Sequence, residues 1–132
     1  MKRFFKKIVA MLLSMVTVAG CGFSTEADGA GEILAPLEYM KMLENDANAC
    51  LLDVRRADEY AQGHLPGAVL LDVTDSVGFL KGVEQLVKEK NIYIYCRSGR
   101  RSRKAADILT SKGFKVRDMQ GGYNAWKEIF KK

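Results

Sequence analysis

The sequence predicts an α/β fold, a central parallel sheet of four to five strands with helices on both faces. Three observations lead there. Short apolar runs rich in β-branched and aromatic residues recur along the chain. Segments with apolar residues at helical spacing lie between them. Proline or glycine marks several of the junctions.

Pro36 suits the first turn of a helix whose inner face is Leu37, Met40 and Leu43, with Glu38, Lys41 and Glu44 outward. Cys50-Leu51-Leu52-Asp53-Val54 reads as a buried strand. A short helix over Asp58 to Gln62 follows and ends at Gly63. Ala68 to Leu71 is a second buried strand. Phe79, Leu80, Val83, Leu86 and Val87 form one helical face, opposite Glu84, Gln85 and Lys88. Ile92-Tyr93-Ile94-Tyr95 is the third strand. Ala105, Ile108 and Leu109 define a helix closed by Gly113, placed as a C-terminal glycine. Phe114 and Val116 alternate in a weaker strand, and Tyr123, Trp126, Ile129 and Phe130 line a final helix, with Tyr123 and Trp126 expected in the core.

The first twenty residues stand apart from this pattern. Lys2, Arg3, Lys6 and Lys7 precede an apolar run from Ile8 to Val18 that is short for a bilayer span of about 20 residues. Val18-Ala19-Gly20-Cys21 then resembles the processing box of bacterial lipoproteins. That resemblance implies a signal peptide over 1–20, lipidation of Cys21 and an exported protein anchored to a bacterial membrane, facing periplasm or cell exterior. Residues 21–32 are small and polar and read as a flexible tether, leaving 33–132 as one domain. Gly22 after the cysteine leans towards the outer membrane in a cell that has two. The charge agrees with this division. Of the formal +5, four charges lie in the first seven residues, so the remainder carries +1 and makes no electrostatic case for nucleic acid.

In open parallel sheets, sites form beyond the carboxyl ends of the strands. After the third strand comes Cys96-Arg97-Ser98-Gly99-Arg100-Arg101-Ser102. Three features there favour a reactive thiolate. The cysteine precedes a helix N-terminus, where unpaired N–H groups gather partial positive charge. Gly99 lets the backbone curl so that several N–H groups converge. Arg97, Arg100, Arg101 and Arg103 add cations, which also attract an anionic substrate.

This loop resembles the active-site loop of single-domain rhodaneses. Asp53-Val54-Arg55 with Glu59, Gly63-His64-Leu65-Pro66-Gly67-Ala68 and Gly121-Gly122-Tyr123-Asn124-Ala125-Trp126 resemble three further motifs of that family, in the family's order. The resemblance implies the rhodanese-like three-layer fold and a thiosulfate sulfurtransferase-like activity with Cys96 as nucleophile. Sulfur would pass from thiosulfate or a related donor to Cys96 as a persulfide, and then to cyanide or a thiol. Arg97 and Arg101 are candidates for the sulfonate, with Arg100 able to replace either, and Ser98, Gly99 and Ser102 complete the binding loop. Cofactors and metals are not called for.

Other residues have plainer readings. Cys50 opens an apolar strand and is expected in the core, at the opposite end of the sheet from Cys96. His64 is expected to hold its turn, Asp53 and Arg55 to support the loop from below, and Glu59 to pair with Arg55. Segments Ala30 to Pro36 and Val73 to Gly78 are expected to supply further pocket walls. Phosphatase-like oxyanion chemistry is disfavoured by register, because the sixth residue after Cys96 is Ser102 where cysteine phosphatases carry arginine. A sulfur-carrier or sulfane-binding module with little turnover remains the main alternative.

Overall fold

The computed structural model describes residues 31–131. Five strands and five helices alternate. They are β1 (Glu32–Leu34), α1 (Pro36–Glu44), β2 (Ala49–Asp53), α2 (Ala57–Gln62), β3 (Val69–Leu70), α3 (Ser76–Glu84), β4 (Asn91–Tyr95), α4 (Arg100–Ser111), β5 (Lys115–Met119) and α5 (Gly122–Phe130). The strands form one sheet in the order β1-β5-β4-β2-β3, and all pairings are parallel.

Strand periodicity sorts the side chains onto two faces. On one face Leu52, Ile92, Ile94 and Val116 meet Phe79 and Val83 of α3 and Ala105, Ala106 and Leu109 of α4. On the other, Leu51, Tyr93, Tyr95 and Met119 meet Tyr39 of α1 and Tyr123 of α5. The result is the expected three-layer α/β fold with a five-stranded sheet.

Several details differ from the sequence reading, for physical reasons. Tyr39, not Leu37, anchors α1. It is fully buried and its hydroxyl donates to the Ile94 carbonyl at 3.0 Å, whereas Leu37 is 62% exposed. Leu80 and Val87 are also exposed, because α3 ends at Glu84 and presents only Phe79 and Val83 squarely to the sheet. Ile129 and Phe130 are exposed, Phe130 stacking on Trp126, which is itself only partly buried beside the second cluster. The strand expected over Ala68 to Leu71 is paired only at Val69 and Leu70. The strand taken as weak, β5, is instead flanked on both sides by β1 and β4; Arg117 and Asp118 disguise its pattern.

Candidate active site

Cys96 immediately follows β4, whose register with β2 and β5 runs unbroken to Ile94. It is fully buried, with its side chain in the cluster on the α3–α4 face. The chain then turns through Arg97 and Ser98 to Gly99, which caps α4 at φ +105°, a conformation that favours glycine. That turn aims the Gly99 N–H at the Cys96 Sγ, 3.0 Å away. The Ser102 hydroxyl, one turn into α4, lies 3.5 Å from the sulfur and donates to the Gly99 carbonyl at 3.2 Å. The Cys96 sulfur therefore lies at the N-terminus of α4 with the Gly99 amide on it.

The loop is propped from below by α5. The N–H of Tyr123 donates to the Cys96 carbonyl at 2.8 Å, and that of Asn124 to the Arg97 carbonyl at 3.1 Å. Such close backbone contact requires Gly122. Its φ is +59°, and a Cβ there would stand 2.5 Å from the Cys96 carbonyl oxygen. The Gly121-Gly122-Tyr123 motif is thus the seat of the Cys96–Arg97 turn.

A second brace lies under the ends of β2 and β4. Arg55 holds buried Asp53 through Nε at 2.9 Å and Nη2 at 2.7 Å, and also donates to the Gly63 carbonyl. Its guanidinium lies 4.3 Å from the centre of the Tyr123 ring. The Tyr95 hydroxyl donates to Asp53 at 2.7 Å and accepts from the Leu65 N–H at 3.0 Å. Asp53 and Arg55 therefore connect β2, the Gly63 turn and α5. His64 is exposed, stacks on Tyr60 and contacts the Tyr60 carbonyl through Nδ1 at 3.0 Å. Its contacts run back to α2 rather than into the Pro66–Gly67 turn.

Glu59 is not Arg55's partner. It binds Arg101 through two contacts of 2.6 and 2.9 Å, because α2 faces the start of α4 while Arg55 turns back onto Asp53. The Arg101 guanidinium holds the Glu59 carboxyl well below its ordinary value, at about 2. Arg101 is in turn raised, chiefly by Glu59 and less by the field of Cys96. Arg97, Ser98 and Arg100 are exposed around the loop, and Ser102 is buried. Those loop residues are brought together as expected, but Arg101 is already engaged.

Cys50 and Cys96 are both free. Cys50 pairs in register with Ile92, four residues before Cys96. That is about 13 Å along the strand, beyond disulfide reach. A cleft of about 430 Å³ abuts the loop at Arg97 and is lined also by Arg56, Glu59, Tyr123 and Lys127 of α2, α5 and their surroundings. Neither segment expected to supply pocket walls lines it, and neither does Cys96.

One buried charged group escaped the sequence reading. Asp118 on β5 is buried beside Arg103 of α4, whose Nη1 is 3.3 Å from Oδ2. Burial pushes its carboxyl up to about 6, against the lowering effects of the Ser102 hydroxyl and Arg103. A carboxylate flanked by strand residues and three positions before Gly121 was the available signal.

The structure thus places a buried cysteine on a glycine-turned loop at a helix N-terminus, beside exposed arginines. The rhodanese-like domain profile matches residues 35–129, and the chain belongs to that family. It is 36% identical over 85 residues to YtwF of Bacillus subtilis (strain 168), named provisionally as a sulfurtransferase, covering 64% of this chain and 80% of that one. It is 35% identical over 97 residues to a mitochondrial protein of Schizosaccharomyces pombe, named provisionally as a thiosulfate sulfurtransferase, covering 65% and 68%. The crystal structure of reduced Bacillus anthracis CoADR-RHD superposes with a TM-score of 0.69 at 28% identity, over 78% of this chain and 18% of that one.

Proposed function

We propose that this protein is a sulfurtransferase that carries a sulfane sulfur on Cys96. The observation that supports it most is the 3.0 Å contact from the Gly99 N–H to the Cys96 Sγ, at the head of α4 and inside a rim of exposed arginines. The thiolate attacks the outer sulfur of thiosulfate or a related donor. A sulfur–sulfur bond forms to Cys96, the bond to the sulfonate sulfur breaks, and its electron pair leaves with sulfite. The loop amides and the helix N-terminus stabilise the negative persulfide. Cyanide or a thiol then attacks the outer sulfur, and the electron pair of the broken bond returns to the Cys96 sulfur.

Arg97 and Arg100 serve the departing oxyanion, since both are exposed at the loop while Arg101 is held by Glu59. Arginine suits such groups because its planar N–H donors match their oxygens. The thiosulfate-to-cyanide assay tests this reading. Activity lost in Cys96→Ser supports it; full activity in that variant, or none in the wild type with any sulfane donor, contradicts it.

We further propose that the chain is exported and lipid-anchored through Cys21. Residues 1–20, Cys21 and most of the tether lie outside the described residues, so this reading rests on the sequence. Acylation that disappears in Cys21→Ala supports it, and an unmodified Cys21 overturns it.

A further inference from the structure

The cleft beside the Cys96 loop is far larger than thiosulfate or cyanide needs. Its volume of about 430 Å³ falls in the range of sites that hold small organic molecules, roughly 300 to 1,000 Å³. Residues of α2 and α5 line it, and Arg97 joins it to the residue that carries the sulfur. Its charges divide into those already engaged and those left over. Arg55 is held by buried Asp53, Glu59 by Arg101, and Asp58 by Arg56 at 3.2 Å. Arg97, Lys127 and Lys131 are exposed, and none of them pairs with an acid among the described residues. Lys127 Nζ lies 5.3 Å from the centre of the Tyr123 ring. Lys131 Nζ stands over the Gly63 turn, 3.6 Å from where a Cβ on Gly63 would lie. The cleft therefore presents uncompensated positive charge from the loop and from a second, separate wall at α5. We propose that this cleft is the acceptor subsite, and that it takes a small thiol carrying two or more carboxylates.

The placement of the cations sets the ligand. A single carboxylate would satisfy one wall and leave the other bare, whereas two can meet both. Cys96 does not line the cleft, so the body of the acceptor rests on Lys127 and Lys131 while its thiol reaches past Arg97 to the sulfur. Arg97 is open to it at that stage, because sulfite has already left. The acceptor thiol gives its proton to solvent, and its thiolate attacks the outer sulfur of the Cys96 persulfide. A new sulfur–sulfur bond forms on the acceptor, the bond to Cys96 breaks, and its electron pair returns to the Cys96 sulfur. The acceptor departs as a persulfide, held meanwhile by the same cations. No oxidant or reductant is consumed.

This inference rests on the Cys96 persulfide of the proposed function, and its test separates the two. The full chain is loaded with thiosulfate, freed of excess donor and mixed with mercaptosuccinate, 1-thioglycerol or cysteamine, an anionic, a neutral and a cationic thiol. Loss of the Cys96 persulfide is followed by mass spectrometry, with rates corrected for the thiolate fraction of each thiol. Mercaptosuccinate should reach half-saturation at a concentration about five-fold lower than 1-thioglycerol, with cysteamine the poorest of the three. Raising salt from about 0.05 M to about 0.5 M should remove most of that preference, since exposed charges are screened. Lys127→Gln combined with Lys131→Gln should raise the half-saturation for mercaptosuccinate about five-fold and that for 1-thioglycerol less than about two-fold, and Lys127→Arg with Lys131→Arg should keep the preference. Equal half-saturation for the three thiols overturns the inference, as does a preference that survives the glutamine substitutions. A persulfide that forms on Cys96 but discharges without regard to the acceptor's charge sinks this inference and leaves the proposed function standing. A Cys96 that never takes up sulfur sinks both.

Discussion

Arg101 of α4 and Glu59 of α2 meet in a two-pronged ion pair, 2.6 and 2.9 Å, that ties the helix behind the nucleophile to the helix after β2. The pair makes a strut of Arg101. Under the proposed function, anion contact then falls to Arg97 and Arg100, both exposed.

Removing the strut should separate position from charge. Glu59→Gln is expected to lower stability by about 1 kcal/mol, as for a well-formed, partly exposed pair. It should also reduce sulfur transfer several-fold by freeing Arg101 and the start of α4. Denaturant unfolding and the thiosulfate assay measure the two effects. The stabilisation depends on pH with a defined sign. Glu59 is depressed from 4.5 to about 2, so its contribution is full above 4.5 and is lost as pH falls towards 2.

Asp118 has the opposite sign. Its carboxyl is raised from 3.8 to about 6, so the folded state is favoured below 3.8 and loses that advantage as pH rises through 6. Asp118→Asn is therefore expected to be more stable than wild type at pH near 8, by about 2 kcal/mol, with the difference shrinking below pH 4. Unfolding midpoints at the two pH values decide it.

The Asp53–Arg55 pair is buried on both sides, with side chains 0% and 4% exposed. Asp53→Ala leaves the Arg55 charge stranded and should cost about 3 to 5 kcal/mol. It also removes the acceptor of the Tyr95 hydroxyl. Denaturant unfolding measures the loss, which should far exceed that of Glu59→Gln.

Gly122→Ala tests the seat of the loop. The new Cβ would meet the Cys96 and Arg97 backbone at 2.5 to 2.7 Å, in a conformation strained by about 1 to 3 kcal/mol. Sulfur transfer is expected to fall by at least an order of magnitude while the sheet remains folded, as circular dichroism would show.

The legibility of the sequence follows from how each feature is encoded. The layer order was readable because the apolar runs of β2 and β4 are contiguous and helical segments separate the strands, even where those helices turned out to bury fewer residues than their pattern suggested. The loop geometry was readable because its residues are contiguous, so Cys96, Gly99 and Ser102 needed no tertiary information to be placed together. Glu59 and Arg101 are 42 residues apart. Nearness in sequence favoured Arg55 as the partner, but Arg55 folds back onto Asp53, two residues away. Tyr39 was missed because an aliphatic stripe at Leu37, Met40 and Leu43 looked like the inner face. A phenol that can reach the Ile94 carbonyl outcompeted Leu37 for the interior. Asp118 was invisible for a similar reason: a charged residue in a strand reads as solvent-facing until α4 is laid over it.

The central claim is that Cys96 holds the transferred sulfur, and the mass of the Cys96 peptide after exposure to thiosulfate tests it most directly. The account predicts a gain of one sulfur atom on that peptide, removed by cyanide, and none on the peptide containing Cys50. An unaltered Cys96, or sulfur found on Cys50 instead, would contradict it.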